Sequence, residues 1–147
     1  MREFKVAKTI LFYASFDGEV DTFEMMTQAQ KLGKKILLPT IIKDQKRIVP
    51  AVVDCLEENL HSGPYGIKQP KILDGTVSPE EMDFILVPGV AFDRNNFRLG
   101  RGHGYYDRFL GGLPKTAVTC GLAFDFQIVE NLPSQAHDIK VSRILCN

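Results

Sequence analysis

The sequence predicts a single α/β domain over residues 1–147, built as three α/β/α layers around a mostly parallel β-sheet. Short, nearly continuous apolar runs recur along the chain, as is typical of strands buried on both faces of a sheet. Segments with helical spacing of apolar residues separate these runs, and that alternation is typical of α/β proteins. A length of 147 residues also fits one domain.

The first predicted elements form a strand–helix–strand unit. A strand is predicted at residues 9–14, and a turn follows at 15–18. Residues 19–32 have apolar side chains at helical spacing, acidic residues in the first turn, and Gly33 as a C-terminal stop. A second buried strand at 34–39 completes the unit, which implies parallel pairing of the two strands.

The remaining elements are shorter. Residues 48–53 are predicted as an edge strand, although the apolar residues of 52–60 also fit a helix. A loop is predicted at 61–70 because this segment holds two glycines and two prolines. Further along the chain we predict a short helix from residue 78, a strand at 83–88, a short helix at 105–110, a strand at 117–122 and a last strand at 141–146. Ligands of such sheets bind at the carboxyl ends of the strands.

Composition excludes several classes of protein. The chain has 18 basic and 18 acidic residues and a formal net charge of zero, which disfavours nucleic acid as a partner. Neither a membrane-spanning apolar run nor a secretory signal is recognisable in the sequence. Cys55, Cys120 and Cys146 are odd in number and scattered, which suits reduced thiols. We therefore expect a soluble cytoplasmic protein that binds neither nucleic acid nor a membrane.

The most informative segment is the glycine-rich loop that leads into the predicted helix at 105–110. It supplies three glycines at alternate positions and three arginines around them: Gly100, Gly102, Gly104, Arg98, Arg101 and Arg108. Glycines let backbone N–H groups approach an anion, and guanidinium groups and a helix N-terminus favour phosphate. The same spacing fits a flexible, arginine-flanked surface loop. It matches neither the GxGxxG fingerprint nor the P-loop.

Four more side chains are candidates for chemistry, and each has a structural alternative. Asp107 is placed to hold hydrated magnesium against phosphates, or it is a first-turn acid stabilised by the helix dipole. Tyr105 and Tyr106 offer hydrogen bonds or stacking, although adjacent aromatic residues commonly divide between core and surface. Glu19 follows the first strand and either holds a polar heterocycle or caps the helix. The sequence shows no zinc motif or nucleophile motif.

The run PGVAFDRNNFRLGRGHGYYDRFL resembles the signature of the 5-formyltetrahydrofolate cyclo-ligase family. The segments SFDGEVDT, KKILLP, GPYGIKQP and GLAFDFQIVENLP agree in order, so the resemblance covers nearly the whole chain from about Lys8. It implies a fold similar to the sugar-phosphate isomerase and CoA-transferase group. The implied reaction needs ATP and Mg²⁺ and closes 5-formyltetrahydrofolate to 5,10-methenyltetrahydrofolate with release of ADP and phosphate. In that reaction the formyl oxygen attacks the γ-phosphate, N10 adds to the activated carbon, and phosphate leaves.

The resemblance also implies roles for individual residues. The implied nucleotide ligands are Arg98, Gly100, Arg101, Gly102, His103, Gly104 and Tyr105. The implied folate ligands are Glu19, Tyr65, Gly66 and Tyr106, and the implied magnesium ligands are Asp107 and Asp138. Arg98 and Tyr106 are the implied catalytic residues, and the enzyme is expected to be a monomer.

The sequence departs from the family pattern at four places. The chain is expected to begin almost at its first strand, without the family's initial helix that carries a lysine and an arginine. His103 stands where the family often has lysine or glycine, and Gln69 stands where it usually has glutamate. Ser142 stands where the family commonly has an aspartate that helps to bind magnesium. A catalytically impaired nucleotide- or folate-binding relative, or a truncated product, is therefore an alternative to the active enzyme. A third alternative is another phosphotransfer or phosphosugar enzyme on the same fold.

Overall fold

The computed structural model describes residues 1–71 and 76–147. Its strands are β1 (Thr9–Leu11), β2 (Lys35–Ile42), β3 (Arg47–Val52), β4 (Leu60–Ser62), β5 (Lys68–Pro70), β6 (Phe84–Val87), β7 (Ala91–Asp93), β8 (Arg98–Leu99), β9 (Val118–Ala123), β10 (Ile128–Val129) and β11 (Arg143–Cys146). Its α-helices are α1 (Arg2–Val6), α2 (Phe23–Lys31) and α3 (Tyr105–Gly111). Single 3₁₀ turns lie at Pro64–Gly66, Pro79–Glu81 and Asp125–Gln127.

The centre of the molecule is a six-stranded sheet with the strand order β11–β9–β6–β1–β2–β3. All neighbouring strands from β11 to β2 pair in parallel, and β3 pairs antiparallel with β2 at the edge. This arrangement confirms the predicted mostly parallel sheet and the predicted edge strand at residues 48–53. The strands predicted at 83–88, 117–122 and 141–146 are β6, β9 and β11.

The central sheet is covered on both faces. Ile10, Ile36 and Phe84 point toward α1 and α2, whereas Leu11 and Ile85 point toward α3 and a smaller sheet of β10, β7 and β8. Because successive side chains of a strand point to opposite faces, a strand covered on both sides is apolar at nearly every position. The three predicted layers are confirmed. No helix in residues 1–71 or 76–147 has the length and apolar character needed to cross a membrane.

The helix predicted at 19–32 begins four residues late, at Phe23. The preceding segment is held by local side-chain hydrogen bonds instead of helical ones. The Glu19 carboxylate accepts the Phe16 N–H at 2.9 Å, and the Asp21 carboxylate accepts the Phe23 N–H at 2.9 Å. Such bonds compete with a helical backbone. Glu19 is consequently released from the helix and faces the end of the sheet.

The structure contains several short elements that the sequence did not predict. Residues 61–70, predicted as a loop, contain the β4–β5 hairpin, and β7, β8 and β10 form a sheet that was not predicted. Strand β2 continues past Pro39, which was predicted to end it, because Pro39 pairs with Pro50 of the edge strand β3. Helix α1 precedes β1, and its Phe4 ring packs edge-on against Phe84. Strands of two or three residues contain too few positions to show a periodic pattern.

Candidate functional site

A cavity of about 680 Å³ lies at the carboxyl ends of β1 and β6. Strand β1 lies between β2 and β6. The chain continues from β1 toward β2 on one side and from β6 toward β9 on the other, so the strand order switches direction between β1 and β6. Open α/β sheets bind ligands in the crevice that such a switch of strand order creates. The volume falls within the range of small-molecule sites, about 300–1,000 Å³.

The cavity brings together nearly all of the residues that the sequence predicts for the site. Its walls include Glu19, Tyr65, Arg98, Gly100, Arg101, Gly102, His103, Gly104, Tyr105, Tyr106, Asp107 and Asp138. Gly66 lies next to Tyr65 but lines a smaller neighbouring cavity with Ser15 and Lys68. The glycine-rich loop, residues 98–104, and the start of α3 therefore share one space with the segment after β1.

The glycine-rich loop depends on its glycines for its shape. Gly102 and Gly104 have φ values of +91° and +68°, in the left-handed region that side chains disfavour. A Cβ on Gly100 would lie 2.7 Å from Arg98 Nη1, too close for contact. Within the described residues, the backbone N–H groups of 100–104 donate to no protein oxygen. They are therefore available to an anionic ligand.

Arg98 is the most enclosed cation of the cavity, with a side chain only 5% exposed. Its Nη1 donates to the Pro88 carbonyl at 3.1 Å, and its Nη2 lies 3.7 Å from Asp107 Oδ2. The guanidinium also lies over the Tyr106 ring, 5.4 Å from its centre. Burial lowers the pKa of Arg98, and the Asp107 carboxylate opposes that shift. Arg98 Nε has no partner among the described residues, so the guanidinium keeps unused donor capacity.

Two carboxylates stand near Arg98. Asp107 and Asp138 are each about one-fifth exposed, and both raise the pKa of Arg98 through their charge. Asp138 Oδ2 accepts the Gln135 N–H at 2.7 Å, which leaves its other oxygen near His137. Within residues 1–71 and 76–147 no cluster of three or more His, Cys, Asp or Glu could bind a metal unaided. One or two carboxylates completed by phosphate oxygens and water is the arrangement that Mg²⁺ commonly adopts.

Glu19 and Arg101 connect the glycine-rich loop to the segment after β1. Arg101 Nη2 lies 3.9 Å from Glu19 Oε1, and Arg101 Nη1 lies 3.7 Å from Asp17 Oδ2. Burial raises the pKa of Glu19, although the Phe16 N–H and the Arg101 charge act in the opposite direction. The cavity thus contains a half-buried carboxyl group able to hydrogen-bond a polar ring.

Aromatic rings line the opening of the cavity. Tyr65 has a φ of +63°, and its ring stacks on His103 with centres 4.8 Å apart. Lys43 Nζ lies 4.8 Å from the centre of the Tyr65 ring. Deeper in the cavity, burial raises the pKa of the Tyr106 phenol, which therefore remains a neutral hydrogen-bond donor. Tyr105 and Tyr106 are both half-buried, so the expected division of the two rings between core and surface is not seen.

Asp93 shapes the site without being among the predicted residues. Its buried carboxylate accepts the N–H groups of Asn95 and Phe97 at 2.9 Å and of Leu132 at 3.0 Å. These bonds join the β7–β8 turn to the segment that carries Asp138 into the cavity wall. The sequence signal was the FDRNNF turn, because Asp commonly accepts backbone N–H groups within two to four residues.

Two departures from the family pattern lie outside the cavity. The Ser142 N–H donates to Thr119 Oγ1 at 2.8 Å, and Ser142 Oγ accepts the Thr119 N–H at 3.2 Å. Gln69 Oε1 accepts the Ile41 N–H at 3.1 Å. Neither side chain is part of the cavity lining, so the serine at 142 removes no carboxylate from that wall.

Comparisons with known proteins point to one family. The model of the 5-formyltetrahydrofolate cyclo-ligase family matches residues 1–147. The Haemophilus influenzae 5-formyltetrahydrofolate cyclo-ligase is 34% identical over 145 residues, which cover 97% of this chain and 78% of that protein. The Escherichia coli enzyme of the same name is 33% identical over a stretch that covers 95% of this chain and 78% of that protein. The solution structure of Aquifex aeolicus 5,10-methenyltetrahydrofolate synthetase has a TM-score of 0.83 at 38% identity, covering 98% of this chain and 71% of that one.

Proposed function

This chain belongs to the 5-formyltetrahydrofolate cyclo-ligase family and is an enzyme, and from that premise we propose that it converts 5-formyltetrahydrofolate and ATP to 5,10-methenyltetrahydrofolate, ADP and phosphate. The observation that carries the proposal is the cavity at the carboxyl ends of β1 and β6. One wall offers free backbone N–H groups and a buried guanidinium, as phosphates require. Glu19 and Tyr65 line the same cavity and can hydrogen-bond or stack on a polar ring system.

The proposed reaction needs positioning and charge stabilisation, and no nucleophile from the protein. The formyl oxygen of the substrate forms a bond to the γ-phosphorus, and the electron pair of the broken P–O bond leaves with ADP. N10 then forms a bond to the activated formyl carbon and loses its proton. Phosphate departs with the former formyl oxygen, which leaves the cationic methenyl bridge. Oriented donors aimed at developing negative charge are the main contribution that a protein makes to such a transfer.

The residues of the glycine-rich loop and the start of α3 receive distinct roles in this proposal. The free N–H groups of 100–104 bind phosphate oxygens, together with the side chains of Arg101 and His103. Tyr105 is also assigned to nucleotide binding. Arg98 stabilises the negative charge that develops during transfer, since its guanidinium is enclosed and therefore acts at low dielectric. Tyr106 packs against Arg98 and holds its orientation toward the reacting groups.

The carboxylates of Asp107 and Asp138 fit a magnesium ion that is carried by the nucleotide. Both line the cavity and neither is fully committed to a protein partner. When bound, Mg²⁺ would offset phosphate charge during the transfer. Glu19, Tyr65, Gly66 and Tyr106 are assigned to the folate, with the Glu19 carboxyl hydrogen-bonding the edge of its polar ring.

We further assign the enzyme to the cytoplasm as a monomer that acts on small molecules only. The formal net charge of zero supports the absence of a nucleic-acid partner. Cys55, Cys120 and Cys146 are free thiols in the structure, which fits a reducing compartment.

The proposed function is tested by mixing the purified chain with 5-formyltetrahydrofolate and Mg-ATP. We expect the near-ultraviolet absorbance of the methenyl product and the released ADP to rise together, and neither to rise when one substrate is omitted. Ligand-induced thermal stabilisation without turnover would instead indicate a binding protein that has lost catalysis. Turnover of a phosphosugar without ATP would indicate a different enzyme on the same fold.

The proposed magnesium role of Asp107 predicts a change in metal demand. Asp107→Asn removes a charged oxygen ligand, so we expect half-maximal activity to require about tenfold more magnesium or higher. The measurement is a magnesium titration at fixed, saturating ATP and folate. Asp44→Asn, which alters an exposed carboxylate at the β2–β3 turn, is the matched control. A magnesium curve for Asp107→Asn that overlays the parent curve would remove Asp107 from the metal site.

A further inference from the structure

Arg108 is the one arginine around the glycine-rich loop that does not line the cavity. It lies on α3, and its guanidinium reaches backward along the helix. Its Nη2 donates to the His103 carbonyl at 2.8 Å, and its Nε donates to the Lys46 carbonyl at 2.9 Å. The guanidinium also lies 5.7 Å from the centre of the Tyr105 ring. Arg108 thus joins the glycine-rich loop to the β2–β3 turn.

These contacts are not those of a phosphate ligand. Arg108 would have to break both carbonyl hydrogen bonds to turn toward the cavity. Hydrogen bonds from a charged donor are about twice as strong as neutral ones. Gly104 also makes room for the guanidinium, because a Cβ there would lie 3.2 Å from Arg108 Nη1. The side chain is therefore built into the back of the loop.

The glycine-rich loop needs such a restraint. The backbone N–H groups of residues 100–104 make no hydrogen bonds within the described residues, and Gly102 and Gly104 give the loop wide conformational freedom. A phosphate site works best when its donors are already oriented, because ordering them during binding costs affinity. The Arg108 bond fixes the peptide between His103 and Gly104, and thereby the direction of the Gly104 N–H.

We propose that Arg108 is a positioning residue for the nucleotide, holding the backbone donors of the glycine-rich loop in place by bridging the His103 and Lys46 carbonyls. This role rests on the proposed function, since it presumes that nucleotide phosphates bind the loop. It assigns Arg108 to the orientation of the loop and not to contact with phosphate. Glu19, on the folate side of the cavity, lies on the segment after β1, and its carboxylate accepts the Phe16 N–H there. Neither hydrogen bond of Arg108 reaches that segment.

The test compares Arg108→Ala and Arg108→Lys with the parent chain. We expect Arg108→Ala to raise the Kd for ADP and the KM for ATP by about tenfold or more, and to change the KM for 5-formyltetrahydrofolate less than about twofold. Arg108→Lys should give an intermediate effect, because one ammonium group cannot reproduce the planar fork of donors. Without any ligand, the backbone N–H order parameters of 100–104 should fall in Arg108→Ala, while those of α2 keep the parent values.

Two controls separate the bridge from general electrostatics. Lys46→Ala removes a nearby charge and keeps the carbonyl that Arg108 binds, so it should behave like the parent. Arg94→Ala removes an exposed arginine that pairs with Glu130 outside the cavity. Unchanged order parameters in the loop, or an unchanged ADP Kd, would overturn the proposal. An equal loss of ADP and folate affinity would also overturn it. A parent chain that binds no ADP would overturn the proposed function and this role together, whereas an unaffected variant overturns the role alone.

Discussion

Arg98→Ala is expected to lower kcat/KM for ATP-dependent ring closure by about 10²- to 10³-fold, the usual cost of removing one oriented donor from an enclosed site. The guanidinium is 5% exposed, keeps an unpaired Nε, and lies 3.7 Å from Asp107. In the proposed reaction its charge therefore acts at low dielectric on the transferring phosphoryl group. The loss should fall on kcat more than on the KM for folate, because the charge that Arg98 meets grows during the transfer.

The Arg98 experiment combines steady-state kinetics with ADP titration. Arg98→Lys tests the geometry, since a lysine keeps the charge but cannot reach the Pro88 carbonyl and Asp107 with the same fork of donors. The alanine variant also leaves the Pro88 carbonyl without its partner, so a loss of unfolding free energy of about 1–3 kcal/mol is expected as well. A kcat and an ADP Kd both within twofold of the parent values would remove Arg98 from the reaction.

Asp93→Asn is expected to lower the free energy of unfolding by about 3 kcal/mol, because a buried ionised acceptor of three backbone N–H groups is lost. The amide NH₂ of asparagine would face an N–H that needs an acceptor. This loss is a large share of the total free energy of unfolding, which is about 5–15 kcal/mol for a typical domain. Urea unfolding measures the change, with Asp44→Asn as an exposed control. A value within about 0.5 kcal/mol of the parent would contradict the role.

The same carboxylate predicts a pH dependence of stability. Burial by itself would raise the pKa of Asp93, but the N–H donors of Leu132, Phe97 and Asn95 lower it below the ordinary value of 3.8. The folded state therefore binds the proton more weakly than the unfolded state does. The stabilising contribution is complete above the ordinary pKa and is lost as the pH falls through the lowered one. In Asp93→Asn, the unfolding free energy should vary less with pH in that acidic range.

The parts of the fold that could be predicted are those with many residues in one pattern. The strands β1, β2, β6 and β9 are apolar at nearly every position because helices cover both faces of the sheet. The strands β7, β8 and β10 could not be predicted, since two or three residues show no period and their pairing joins Ile128 to Phe92 across a long stretch of chain. The helix start at Phe23 was missed because side-chain hydrogen bonds from Glu19 and Asp21 replaced a turn of helix.

The residue types of the site could be recognised in the sequence, whereas the packing of distant segments sets what each side chain faces. The glycines at 100, 102 and 104 and the arginines beside them were readable because loop chemistry is local. Arg98 and Arg108 look alike in the sequence, yet one is buried in the cavity wall beside Asp107 and the other binds the Lys46 carbonyl behind the loop. Such a division depends on strand order and on contacts between distant segments, and burial and electrostatic partners arise only when those segments pack together.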